Sequence, residues 1–131
     1  MNFNLKKMGD ANKIEFVNAV KARTKKFVLD SITFYQTLPK TEESRIIGRQ
    51  FIRSASSVGA NYRAACRSRS KAEFFAKLSI VVEEADETAF WIEILTESSI
   101  TDSLKAQLLL KEVNEILAIV ARARKTVSNN K

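Results

Sequence analysis

Only three short breaks interrupt the helical patterning of this chain, and each carries its own stop or start signal. The first is Leu38-Pro39 followed by Thr41-Glu42-Glu43. Proline lacks an N–H and disfavours helical backbone at the residue before it. Thr41 can cap the next helix, and two carboxylates then sit where the helix dipole favours negative charge. The second break ends in Ser70-Lys-Ala-Glu73, an S-x-x-E capping box ahead of Phe74-Phe75. The third is Ser98-Ser-Ile-Thr-Asp102, where Thr101 or Asp102 can cap a last helix. Three glycines and one proline in 131 residues leave little turn chemistry for a β-protein, and no strand-type alternation is sustained. These signals predict helices over about 11–38, 42–67, 71–98 and 102–125, with polar tails at 1–10 and 126–131 that fray. Short connections make consecutive helices antiparallel neighbours. The expected fold is therefore all-α: one domain forming an antiparallel up-down-up-down four-helix bundle.

Apolar residues recur at three- and four-residue spacing in every segment. Val17, Val20, Phe27, Ser31, Phe34 and Leu38 mark the inner stripe of the first. Phe74, Leu78, Val81, Ala85, Thr88, Ile92 and Leu95 mark that of the third. Leu109, Val113, Ile116, Leu117 and Val120 mark that of the fourth. The second differs. Ile47, Phe51, Ser54, Val58, Asn61 and Ala65 share a narrow face with small polar residues at its middle, and Gly59 lies inside the same helix. Such a seam suits a close helix crossing in which Asn61 must find partners for its amide. A ligand contact and a register-fixing role are the other readings of Asn61.

On the opposite side of that helix, Arg45, Arg49, Arg53, Arg63 and Arg67 fall within about 80° of one another, and Arg69 follows in the turn. Three readings are open: a solvated face, a phosphate-contacting face, or a partner for acidic groups on another helix or subunit. Charge is unevenly spread. Residues 41–72 hold seven Lys/Arg and two acids, residues 73–98 one Lys and seven acids, and the chain carries a net charge of +7. The outer faces of the second and third helices are thus complementary, within one bundle or head-to-tail between bundles.

Apolar surface exceeds what one bundle needs. Ile80 and Trp91 lie on a flank of the third helix, and Phe90 points outward. Leu104, Leu108 and Ile119 widen the apolar arc of the fourth helix to about 200°. With Glu84 and Glu87 from the acidic face, these residues form a candidate contact between copies.

Chemistry-bearing motifs are absent. There is no histidine and one cysteine, so His-based catalysis, a structural zinc site and an intramolecular disulfide are all excluded. Neither a P-loop nor a dinucleotide-binding glycine motif occurs. The acidic run Glu83-Glu84-Ala-Asp86-Glu87 faces mostly outward, unlike the inward ligands of a di-metal bundle. No catalytic residue, metal or cofactor is expected. Cys66 reads as a small helix residue, the alternative being a thiol activated by neighbouring arginines. No apolar run spans a membrane, and MNFNLKKMGDANK has no secretory core, so a cytoplasmic location and no membrane partner are expected.

The stretch Gly48–Leu95, RQFIRSASSVGANYRAACRSRSKAEFFAKLSIVVEEADETAFWIEIL from Arg49 onward, resembles a bacterial four-helix-bundle family. That family includes proteins encoded in intervening sequences of 23S ribosomal RNA genes. The accessory variability protein of diversity-generating retroelements is a relative. Many members carry N-x-x-E-G after the Ser-rich seam, whereas here Asn61 is followed by Tyr-Arg-Ala-Ala-Cys. The resemblance implies a bundle that assembles into homopentameric rings, with no catalytic activity assigned. The retroelement relative is a basic pentamer that binds nucleic acid and a reverse transcriptase. Two functions follow as expectations. One is a homo-oligomer that binds RNA or DNA through Arg45, Arg49, Arg53, Arg63, Arg67 and Arg69. The other is a scaffold for a reverse transcriptase or another protein, with the arginines held in ion pairs between subunits.

Overall fold

The computed structural model describes residues 10–129, which form four helices: α1 Asp10–Gln36, α2 Glu42–Cys66, α3 Lys71–Glu97 and α4 Leu104–Asn129. The start signals act as their chemistry dictates. Thr41 Oγ1 accepts the Ser44 N–H at 3.3 Å, and Ser70 Oγ accepts the Glu73 N–H at 3.1 Å. Glu73 reaches back to accept the Arg69 N–H, also at 3.1 Å, which closes the capping box one residue early. The cap of α4 is Ser103, not Thr101 or Asp102. Its Oγ accepts the Ala106 N–H at 3.2 Å, while Thr101 Oγ1 accepts the Ser103 N–H at 3.4 Å. At the other end of that connection Ser99 adopts φ 65°, the left-handed conformation that ends a helix, without a glycine to relieve it.

Two boundaries differ from expectation for one physical reason, burial. Leu38 lies beyond the end of α1 yet is buried, held by a turn in which its N–H donates to the Tyr35 carbonyl. Residues 126–129 are helical rather than a polar tail. Val127 continues the inward row Val113, Ile116, Val120, Ala123 and is almost fully covered. Burial of Val127 offsets part of the cost of ordering the polar residues around it. The expectations for residues 1–9 and 130–131 lie outside the described residues.

Contacts fix the topology. A Cβ placed on Gly48 would lie 3.0 Å from Tyr35, and one on Gly59 would lie 2.7 Å from Val28. As α2 ascends α1 descends, so the two are antiparallel. Connections of four and six residues impose the same on α2–α3 and α3–α4. α2 and α3 share the largest interface, α1 and α4 the smallest. Phe27, Phe34, Phe51, Leu78, Ile92, Leu95 and Ile116 fill the centre, with Phe34 and Phe51 edge-to-face at 5.6 Å. The inner stripe of α3 is buried residue for residue as its spacing predicts.

The seam of α2 is rotated from its predicted centre. Ser44, Gly48, Phe51, Ser54, Ala55, Val58, Tyr62 and Ala65 are buried, so Tyr62 rather than Asn61 faces the core. Asn61 bonds within its own turn, its Nδ2 donating to Ser57 O at 3.0 Å and Ser57 Oγ at 2.7 Å. The polar crossing is made instead by Thr88, whose Oγ1 meets Ser54 Oγ at 2.9 Å between α3 and α2.

Candidate functional site

The rotation of α2 splits its arginine stripe between two flanks. With the core on one side, Arg45, Arg49, Arg63 and Arg67 fall toward α1, and Arg53 falls toward α3. Arg53 is held there: Nη1 lies 3.4 Å from Glu84 and Nη2 2.5 Å from Glu87. Glu87 also accepts the Trp91 indole N–H at 3.0 Å. That bond and the guanidinium lower the Glu87 carboxyl below the usual carboxylate range. On α1, Arg23 is committed in the same way, to Glu112 and Glu115 of α4 at 2.6 Å each.

The four arginines turned toward α1 meet cations, not acids. Arg63 and Arg67 line a cleft of about 520 Å³ whose α1 wall supplies Lys21 and Lys25. Its floor is Val28, Leu29, Ser56, Gly59 and Ala60. Gly59 makes this floor possible, because a larger residue would strike Val28 where the helices cross. Further along the same boundary, Arg45 and Arg49 line a second cleft of about 340 Å³ with Tyr35, Gln36 and Lys40. Neither cleft is lined by a carboxylate, and among the described residues none of these seven cations is in an ion pair. Arg69 is exposed in the turn between α2 and α3. Cys66 sits at the end of α2 beside Tyr62, and burial pushes its thiol up despite the nearby Lys21 and Arg67. It is a packed thiol, not an activated one.

Sequence reasoning missed Lys21, Lys25, Lys40 and Tyr35. The spacing of Lys21, Lys25 and Tyr35 on α1 is visible and Lys40 follows Pro39 in the connection, but which flank of α2 they meet is set by the Gly59–Val28 crossing, a contact between residues far apart in sequence.

The residues expected between copies are dispersed. Glu84 and Glu87 hold Arg53 of the same chain. Ile80 is half-buried, and Trp91 and Ile119 pack against their own core. The Trp91 ring is therefore not left wet in a single bundle. Phe90 stacks edge-to-face on it at 4.9 Å and stays 49% exposed. Leu104 and Leu108 remain 74% and 58% exposed. Among the described residues there is no group of three metal-ligating side chains, and no helix is long and apolar enough to cross a membrane.

Residues 18–122 match the family described as 23S rRNA-intervening sequence protein. The bundle is also similar to a crystal structure from Bacteroides thetaiotaomicron, described as a protein with unknown function from the S23 ribosomal protein family. The TM-score is 0.77 at 28% identity, covering 83% of this chain and 97% of that one. No curated protein matches the chain.

Proposed function

The chain belongs to the 23S rRNA-intervening sequence protein family, and from that premise we propose that it is a non-catalytic, oligomeric bundle of the cytoplasm that binds RNA or DNA through its basic α1–α2 face. The observation that carries this reading is the sorting of cations. Arg23 and Arg53 are neutralised inside the chain, while Arg63 and Arg67 face Lys21 and Lys25 of α1, and Arg45 and Arg49 face Lys40 of the α1–α2 connection, with no carboxylate lining either cleft. Clustering like charge costs stability unless an anion offsets it. A polyphosphate does so by releasing its counterions. A ring of such chains multiplies the field that attracts it.

Binding titrations in a salt series test the reading. Arg63→Glu/Arg67→Glu is expected to lower affinity at least about tenfold at low salt and to flatten the salt dependence by about one unit per lost phosphate contact. Arg53→Glu, on the far flank, leaves binding close to that of the unaltered protein. Undetectable binding to both RNA and DNA at low salt would sink the proposal in favour of a protein scaffold.

A further inference from the structure

We infer that the α1–α2 clefts form one track for a single nucleic-acid strand, not a docking face for a duplex. This rests on the nucleic-acid reading above and deepens it. Lys21 and Lys25 on one wall and Arg63 and Arg67 on the other are each four residues apart. That places successive cations about 6 Å apart along each helix, close to the step between phosphates of an extended strand. From Arg67 to Arg45 the boundary runs about 33 Å at helical rise. At the same step it holds about six nucleotides.

The cross-section favours a single strand over a duplex. Packed helices lie ~8–10 Å apart, and the cations line a concavity between them. A duplex is far wider and can touch only the rim, whereas one backbone enters. Apart from Ser56, the floor under it is apolar. Val28 and Leu29 offer contact to sugar and base faces, and Leu29 is 56% exposed. The larger cleft holds no aromatic ring, so stacking adds nothing there and base identity matters little. Tyr35 in the second cleft supplies one ring on which a base can stack. Binding then leans on charge and is steeply salt-dependent.

The test uses the full chain and fluorescent 12-nucleotide probes of one mixed sequence, single-stranded or as a blunt duplex, read by anisotropy at low salt. Single strands are expected to bind at least fivefold tighter than the duplex, with affinity rising steeply up to about six nucleotides and only slowly beyond. Leu29→Asp, and separately Ala60→Glu on the facing helix, are expected to cost the strand several-fold and the duplex little. Both positions are exposed, so helicity is retained. Equal or tighter duplex binding overturns the single-strand track and leaves the broader reading standing, as does indifference to both floor variants. Binding of neither probe overturns the broader reading as well. Displacement of the strand by polyglutamate at equal charge concentration assigns the track to an acidic protein segment and overturns the inference.

Discussion

Glu87 serves two partners with one carboxylate. It accepts the Trp91 indole N–H and pairs with Arg53, and both interactions require or favour the charged form. Its folded pKa is depressed, so the stability it contributes is present above the ordinary carboxylate value and is lost as pH falls through the depressed one. The pair is more than a third exposed, which limits that contribution to ~0.5 kcal/mol. Trp91 is the only tryptophan and reports the event directly. Its emission is expected to change on acidification with a midpoint below the usual carboxylate range. In Glu87→Gln, whose amide oxygen still accepts the indole bond, that step is absent; its persistence there would assign the titration elsewhere. Asn61 teaches a related lesson. Helical periodicity puts it on the core seam, but a bond to Ser57 within its own turn satisfies it, and the buried place goes to Tyr62.

At the scale of elements, the decisive contact is the crossing of α1 over Gly59. A methyl group there would meet Val28 Cγ2 at 2.7 Å, and the β-branched valine has no free rotamer through which to yield easily. Gly59→Ala gains about 1 kcal/mol of helix propensity and loses about 1–3 kcal/mol to overpacking. Net destabilisation of up to ~2 kcal/mol in thermal unfolding is expected. Adding Val28→Ala should recover most of it, and additive losses in the double variant would show that the two do not touch. The helices themselves were largely legible. Pro39, the capping box at Ser70 and the stripe of α3 are local signals, and local chemistry decided them. The end of α4 was not legible, because composition says tail while the position of Val127 on a continuing stripe says core. The rotation of α2 was half legible. Buried Phe51, Ser54, Val58 and Ala65 were read correctly, but Gly48 and Ala55 contribute to the core by closeness rather than by bulk. That small rotation is what sends Arg53 to one flank and four arginines to the other, so the candidate site was visible as a stripe and not as a cleft.

For the whole molecule, Leu104 and Leu108 are the most exposed large apolar side chains among the described residues. They stand one helical turn apart at the start of α4 and cover little of their own core. Each buried leucine would contribute about 1.5–3 kcal/mol to an assembly that hides it. If copies meet there, Leu104→Asp/Leu108→Asp is expected to bring the mass by light scattering down toward the single-chain 14.8 kDa, with helicity unchanged. An unaltered mass would move the contact to Phe90 and the face of α3. The candidate track has a different dependence on the whole. One of its walls is α1, the helix that packs least against α4 and leans chiefly on α2. An occupant gripping Lys21 and Arg67 together would act as a clasp that holds α1 to the rest of the bundle. Cells holding the filled form would then keep it longer than the empty one, since proteases attack whatever peels away first, and the abundance of the protein would follow the supply of what it carries.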